Sequence, residues 1–211
     1  MEYCILIPTV NRKDLLEQAL WYYGTFMTDV NIMVLDNGKQ NIDVSQYPNV
    51  FLHESDENLG VASSWNWLIN RSSILGYSRF MVLNDDIILR KPSDTIRSIF
   101  SKHGDCFMHI PRPFYNMSAF MLTKHIWDTV GEFDPNFRKA FFEDNDYKYR
   151  VKLAGLTVRY EDELNADVYK NSQTIEKDPL LGGYIENREY YINKWGGLPD
   201  EEKYKTPFDA Q

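Results

Sequence analysis

Cysteine is nearly absent from this chain: its 211 residues contain two, Cys4 and Cys106. Two thiols cannot build a disulfide framework, and both stand in apolar runs, so they read as small buried hydrophobes rather than redox or metal groups. No apolar run approaches the roughly 18 residues of a membrane span. The start, Met1-Glu2-Tyr3-Cys4, lacks the basic residues of a secretory signal, which makes the cytoplasm the expected location. Positive charge is also scarce. Lys and Arg number 23 against 31 Asp and Glu, a net charge of -8, so nucleic acid is not an expected partner. No glycine fingerprint lies between Ile7 and Leu15, which speaks against a dinucleotide site, and no Gly-Lys-Ser/Thr loop exists for a P-loop ATPase or kinase. The four histidines, His53, His103, His109 and His125, show no zinc-ligand spacing, and no serine stands in a nucleophile elbow.

What is present is an ordinary soluble balance, 43% hydrophobic and 26% charged, with a high aromatic share of 15%. The length suits one domain over 1–211. Strand and helix signals alternate along it. Tyr3 to Ile7 reads as a buried strand stopped by Pro8. Thr9 or Asn11 can cap a helix carrying Leu15, Leu16, Ala19, Leu20 and Tyr23. Strands follow at Asn31–Leu35 and Val50–His53, then a helix with Trp65, Leu68, Ile69 and Ser72 on one face. Phe80–Leu83 is the most hydrophobic strand, and Ile87–Leu89 reads as another short one. Ser93 can cap a helix with Ile96, Ile99 and Phe100 inward. Cys106–Ile110 and Ala119–Leu122 read as strands, Thr123 to Gly131 as a short helix, Asp144–Ala154 as a helix and Thr157–Tyr160 as a strand. A last helical stretch ends at Trp195-Gly196-Gly197, and the polar tail after Pro199 is expected to be loosely held. Such alternation predicts an α/β fold, a mostly parallel sheet covered by helices, whose ligands bind beyond the strands' carboxyl ends. Thr9–Arg12, Asp36-Asn37 and Asn84-Asp85-Asp86 all follow apolar strands directly.

Three constellations carry chemistry. Asp85 and Asp86 are adjacent carboxylates with no cation before Arg90, so a hard divalent ion, magnesium or manganese, would relieve their repulsion. Two ligands are too few for a closed cage, and a substrate diphosphate would complete the set. The alternative is a polar turn in which these acids cap the next segment; the strand context favours the metal. In Phe141-Phe142-Glu143-Asp144-Asn145-Asp146, acids open a helix, where Asp144 can be an N-cap or a base at the mouth of a pocket. A calcium loop fails there because Lys148 stands at the fifth ligand position. Asp36 could accept from a base edge or ribose, and Arg12 could meet a phosphate.

The ordered set of Ile5-Leu6-Ile7-Pro8-Thr9-Val10-Asn11-Arg12, Val34-Leu35-Asp36-Asn37-Gly38, Asn58-Leu59-Gly60 with Asn66, and Phe80 through Ile87 resembles the GT-A fold glycosyltransferases, within them the family 2 group of nucleotide-sugar enzymes. Ala119 through Asp134, Phe141 to Arg150 with Gly155, and Trp195-Gly196 continue the likeness over nearly the whole chain. The resemblance implies a GT-A, Rossmann-like mixed sheet with a nucleotide-binding half (1–90), an acceptor and catalytic half (91–198) and a tail (199–211). It implies that Thr9, Asn11, Arg12, Asp36, Asn37, Gly60, Asn66, Asn84 and Asp85 hold the nucleotide. Asp86, helped by Asp85, would bind Mn2+ or Mg2+, with Asn84 where the family carries its first Asp. Glu143-Asp144 falls on the family's Glu-Asp pair, making Asp144 the general base. Ser118, Ala119, Phe120, Trp127 and Phe142 are candidates for sugar contact, with core packing as their alternative. Lys170 is a candidate for the diphosphate in place of the family's late His, or else an exposed loop lysine. The expected donor is a UDP-sugar, with glucose, galactose and rhamnose all open, and the expected acceptor a glycan or glycoprotein. The chain is short for that family, the size of a catalytic domain or of a minimal enzyme such as those of large DNA viruses of algae. Two rivals remain from the residues: a nucleotidyltransferase that makes nucleotide-sugars, and a glycan-binding module without catalysis.

Overall fold

In the computed structural model, residues 2–109, 117–161, 164 and 183–209 are described. The strands are β1 (Cys4–Thr9), β2 (Asn31–Asp36), β3 (Val50–Glu54), β4 (Arg79–Leu83), β5 (Phe107–His109), β6 (Ala119–Thr123) and β7 (Val158–Tyr160). The helices are α1 (Lys13–Phe26), α2 (Gly60–Ile74), α3 (Ser93–His103), α4 (Lys124–Val130), α5 (Glu143–Leu153) and α6 (Tyr184–Trp195). Among the described residues the strands form one sheet in the order β3-β2-β1-β4-β6-β5-β7. Pairing is parallel from β3 through β2 and β1 to β4 and again between β5 and β7, while β6 runs antiparallel to both of its neighbours. The expected mixed, mostly parallel sheet flanked by helices is what forms.

Alternation along β1 explains the two faces. Tyr3, Ile5 and Ile7 point into a core completed by Leu16, Ala19, Leu20 and Tyr23 of α1 and by Ile96, Ile99 and Phe100 of α3. Cys4 and Leu6 point the other way, onto Ala62, Trp65, Leu68 and Ile69 of α2 and onto Tyr147 and Val151 of α5. Both thiols are buried and free, and burial pushes Cys4 up to about 12, so it packs as a small apolar group.

Several local expectations are corrected. The first strand does not stop at Pro8: its ladder with β2 runs on to Thr9, while pairing to β4 has ended at Leu6 and needs no donor there. Helix α1 begins at Lys13 with Arg12 at the cap position and no side-chain cap, because Thr9 is engaged elsewhere and Asn11 turns the chain with φ 54°. Ile87–Leu89 is not a strand. The Tyr23 hydroxyl donates to Ile87 O at 3.0 Å and accepts from Leu89 N at 2.8 Å, so one α1 side chain supplies the bonds that a neighbouring strand would have made. Ser93 is the first residue of α3 rather than its cap, with Pro92 before it. The segment after Trp195 is not loosely held: Trp195 O accepts from Lys203 N and Tyr204 N, Lys194 O accepts from Phe208 N, and Tyr149 Oη donates to Tyr204 O. No helix among the described residues is long and apolar enough to cross a membrane.

Helices α5 and α6 are joined by a buried ionic cluster. Asp146, fully buried, accepts from Arg150 Nε at 2.8 Å, from Trp195 Nε1 at 2.8 Å and from Lys194 Nζ at 2.7 Å. Lys194, itself buried, also donates to Asp134 at 2.6 Å. Removing the central carboxylate would leave the indole donor without its acceptor and take the counter-charge from between two cations, of which Lys194 keeps Asp134 and Arg150 the carbonyls of Val130 and Glu132. Asp146→Ala is expected to lower unfolding free energy by about 3–5 kcal/mol, read by urea denaturation; a loss under about 1 kcal/mol would mean that Asp134 and water replace it.

Candidate active site

The parallel strands β1, β2 and β4 end on one rim. Because β6 is antiparallel to β4, its beginning lies on the same rim: Leu83 pairs with Ala119, and Asn84 N donates to Ser118 O at 2.9 Å. A cavity of about 740 Å³ opens there, a size suited to a small-molecule ligand. It is lined by residues 8–10 and Asn37, by Asn84-Asp85-Asp86 and Ser118, and by Phe141 through Asn145. Further wall comes from Asn58, Gly60 and Trp65 of the α2 region, and from Tyr184 and Arg188 of α6.

At the end of β4, Asp85 accepts from Thr9 Oγ1 at 2.7 Å, and both it and Asp86 are buried. Burial, with the adjacent charge of Asp86, pushes the Asp85 carboxyl up to about 7, against the pull of the Thr9 bond and the Arg12 charge. Adjacent acidic side chains lining a cavity suit a hard divalent ion. The set is open, since among the described residues no group of three or more His, Cys, Asp or Glu side chains is placed to hold a metal.

Also lining the cavity, Glu143 and Asp144 occupy the first turn of α5. Phe142, not Asp144, holds the cap position, in a left-handed conformation with φ 70°, and Phe141 before it has φ 84°. Bulky residues resist that region, so the turn into the acids is strained. Asn187 of α6 offsets this: its buried Nδ2 donates to the carbonyls of Arg138, Ala140 and Phe141 at 2.8–3.0 Å. Gly60, with φ 75°, lets α2 approach the same loop; a Cβ there would come within 3.2 Å of Lys139 N, and Val61 N donates to Lys139 O at 2.8 Å. Asp144, half-buried, is steadied by Asn145, whose N and Nδ2 donate to Oδ1 at 2.8 and 3.1 Å. Burial raises its pKa against the opposing charge of Lys148, and burial with the Asp144 charge raises that of Glu143 well above the usual carboxylate range.

Of the residues singled out from the sequence, the fold brings Thr9, Asn37, Gly60, Asn84, Asp85, Asp86, Ser118, Phe142, Glu143 and Asp144 to the cavity. Others lie behind it. Asp36 is fully buried and braces its own turn, accepting from Gly38 N, Gln40 N and Gln40 Nε2 at 2.7–2.9 Å. Asn66 exchanges two 2.8 Å bonds with the backbone of Phe133. Arg12 binds Asp14 through Nε and Nη2 at 3.0 and 3.1 Å, with its charge felt by Asp85 and Asp86; Asn11 is in the turn before it. Ala119 is buried in the β4–β6 ladder, and Phe120 and Trp127 pack around Phe133, the Trp127 indole donating to Asn70. Lys170 lies outside the described residues. The sequence reading missed Trp65, which sits on a helical stripe that reads as core, the α6 wall of Tyr184 and Arg188, and Asn187 behind it, which no local pattern marks.

No protein-family model matches the chain, and no curated protein matches it in sequence. Solved structures do match in shape. A mannosyltransferase from Pyrobaculum calidifontis, solved with GDP-mannose and Mn2+, aligns over 90% of this chain at 12% identity with a TM-score of 0.61. The chain spans 61% of that protein's length. The catalytic domain of a Drosophila β1,4-galactosyltransferase, solved with xylobiose, aligns over 83% of this chain and 72% of its own at 14% identity and a TM-score of 0.57. A Bacillus anthracis protein described as a candidate glucose-1-phosphate thymidylyltransferase, solved with sucrose, aligns over 86% of this chain and 96% of its own at 9% identity and a TM-score of 0.50. What the chain shares with the first two is the GT-A fold, a mixed, mostly parallel sheet between helix layers.

The raised Asp85 pKa has a consequence for stability. Its folded value, about 7, lies above the ordinary 3.8, so folding favours the neutral acid. That contribution is full below about pH 4 and is lost as pH rises through about 7. Glu143 and Asp144 shift in the same direction. Burial lowers the His109 pKa to about 4, which adds stability as pH rises over the same window, so the Asp85 contribution is read as a difference between proteins. Chemical denaturation without divalent cations is expected to show Asp85→Asn gaining on the order of 3 kcal/mol relative to the wild type from pH 4 to 7. A difference between variant and wild type that stays constant across this window would overturn the assignment.

Proposed function

We propose that this chain is a glycosyltransferase that moves a sugar from a nucleotide-diphosphate donor to a hydroxyl of a glycan acceptor. The observation that carries the reading is the convergence of two acidic pairs on one cavity at the carboxyl ends of the parallel strands, Asp85-Asp86 from β4 and Glu143-Asp144 from α5. Fold neighbours solved with GDP-mannose and Mn2+, and with manganese, UDP-galactose and xylobiose, support it.

In this reading Thr9, Asn37 and Asn84 line the nucleotide side, and Asp86 with Asp85 holds Mn2+ or Mg2+. When bound, such an ion offsets the negative charge that gathers on the departing diphosphate. Asp144 acts on the other partner. As the acceptor oxygen bonds to the anomeric carbon, the bond from that carbon to the diphosphate oxygen breaks and the electron pair leaves with the diphosphate. The acceptor's hydroxyl proton passes to the Asp144 carboxylate. Two features suit Asp144 to receive that proton. Asn145 fixes its Oδ1, and its raised pKa makes it a stronger base than a solvated aspartate. A reaction in one displacement inverts the anomeric centre. UDP is the donor nucleotide we favour, with a hexose as the transferred group. A nucleotidyltransferase would call for cationic side chains on a glycine-rich loop after β1, and residues 9–14 contain no glycine.

Calorimetry with UDP and GDP, with and without manganese, tests the site. Asp86→Ala is expected to abolish the manganese dependence of nucleotide binding. Asp144→Asn should bind nucleotide as the wild type does while donor hydrolysis or transfer falls at least about 100-fold. Glycan binding independent of metal, without any nucleotide affinity, would instead establish a binding module.

A further inference from the structure

Among the described residues the cavity is lined by five acidic side chains, Asp85-Asp86, Glu143-Asp144 and Glu201, and by two cationic ones, Lys139 and Arg188. The positive charge that offsets the acidic pairs comes from outside this lining, from Arg12 at Asp85 and from Lys148 at Asp144. Lys139 is exposed and already engaged. Arg188 differs. It is half-buried, and its side chain makes no hydrogen bond or ion pair among the described residues, with Glu201 or with any other acid of the lining. An arginine at the wall of an acid-lined cavity, paired with none of the acids, leaves its planar fork of five N–H donors to a ligand.

Helix α6 sets where that fork stands. Tyr184 and Arg188 are four residues apart on it, so one stripe of the helix borders the cavity. The Tyr184 ring lies 5.7 Å from that of Phe141 and 5.4 Å from that of Phe142. Asn187, next to Arg188 in the chain, donates to the Ala140 and Phe141 carbonyls at 2.8 and 2.9 Å. The helix is therefore docked on the turn that leads into Glu143-Asp144, and Asp144 is the group that takes the acceptor's proton in the reading above. Asp85 and Asp86, by contrast, follow β4 and feel the charge of Arg12. Leu198, just beyond α6, adds apolar surface to the lining next to the exposed Tyr184 ring.

We propose that Arg188 selects an acceptor sugar that carries a carboxylate, a uronic acid unit of a glycan, by pairing with that group. This rests on the glycosyl-transfer reading and deepens it. A guanidinium meets a carboxylate through two parallel N–H···O bonds, which fixes orientation as well as charge. The Tyr184 ring suits the C–H face of the same sugar. Charge decides the class of acid. An anion that enters an acid-lined cavity is repelled unless a cation receives it, and a carboxylate brings one negative charge where a phosphate ester brings nearly two.

The full chain, saturated with manganese and whichever of UDP and GDP it binds, is titrated by calorimetry with two pairs of glycosides. These are methyl β-glucuronide with methyl β-glucoside, and methyl α-galacturonide with methyl α-galactoside, which differ only by a carboxylate in place of a hydroxymethyl group. The quantity read is the affinity of the acid divided by that of its neutral partner. In the wild type this ratio is expected to reach about 3- to 5-fold in at least one pair, the scale of a partly exposed ion pair. Arg188→Gln is expected to bring it to about 1, and Arg188→Lys to leave it between the two. Thermal melting identifies a variant that fails to fold; should Arg188→Gln do so, Arg188→Ala supplies the comparison. A wild type that binds nucleotide but shows a ratio of about 1 in both pairs, or binds none of the four glycosides, overturns the assignment and leaves the glycosyl-transfer reading in place. A ratio that the folded variants do not change overturns it as well. If Arg188→Gln loses nucleotide affinity and keeps the ratio, the guanidinium belongs to the donor diphosphate and the assignment falls. A wild type that binds neither UDP nor GDP with manganese removes both readings.

Discussion

Carboxylate charge withdrawn from water is the constraint around which this protein is organised. Asp85 and Asp86 at the end of β4 and Glu143 and Asp144 at the start of α5 reach one cavity, and three of the four have pKa values displaced upward by burial. Arg12 and Lys148 offset a part of that charge. Such a cluster can settle in two ways: it can retain protons, or it can gain positive charge from a ligand. The two pairs are not equivalent in this respect. Asp85-Asp86 is an adjacent pair with a hydrogen bond from Thr9 that favours the ionised form, which suits a cation. Glu143 keeps one oxygen unmatched among the described residues, which suits a neutral acid.

Keeping the second pair in place requires support from behind. The turn through Lys139, Phe141 and Phe142 takes left-handed backbone angles at three non-glycine positions, and strain of this kind persists only where the surroundings over-determine it. Asn187 ties down three carbonyls of that turn, and farther along the same helix, Lys194 and Trp195 grip Asp146, three residues after Glu143. The Lys-Trp-Gly sequence near the end of the chain thus has a physical reason. Its lysine and tryptophan hold helix α5 by a buried carboxylate, and the α6 that carries them also presents Tyr184 and Arg188 to the cavity.

Much of this was legible in the sequence, for identifiable reasons. Short continuous apolar runs marked the strands, because a sheet covered on both faces buries successive residues, and helical stripes marked α1, α2 and α3. Acids placed directly after strands were legible as site residues, since the strand ends of an α/β sheet define where ligands can reach. Tyr23 was legible as core but not as the group that replaces a strand partner for Ile87 and Leu89, a role that depends on a contact 64 residues away. Asp36 carried the right residue type in the right place, yet its carboxylate is turned inward onto Gly38 and Gln40, which no spacing rule could distinguish from outward. Trp65 failed in the opposite sense. Its position on the stripe correctly placed it inside, and only the surrounding geometry reveals that it also lines the cavity.

A glycan-binding module and a catalyst would both want aromatic walls and hydroxyl-matching polar atoms, so those features alone do not separate them. The acids do. A module gains nothing from carboxylates desolvated far enough to resist ionisation, since solvated ones bind sugar hydroxyls without that penalty. Desolvation is useful where a proton must be taken up near neutral pH, and where a cation must be attracted to a group of oxygens that cannot close around it unaided. On the glycosyl-transfer reading, Asp144 would meet the first condition and Asp85-Asp86 the second, both pairs lining one cavity beside a turn with left-handed angles at Lys139, Phe141 and Phe142. Strained backbone and desolvated acids adjoin at this turn, as expected where a site needs its groups held against their local preferences.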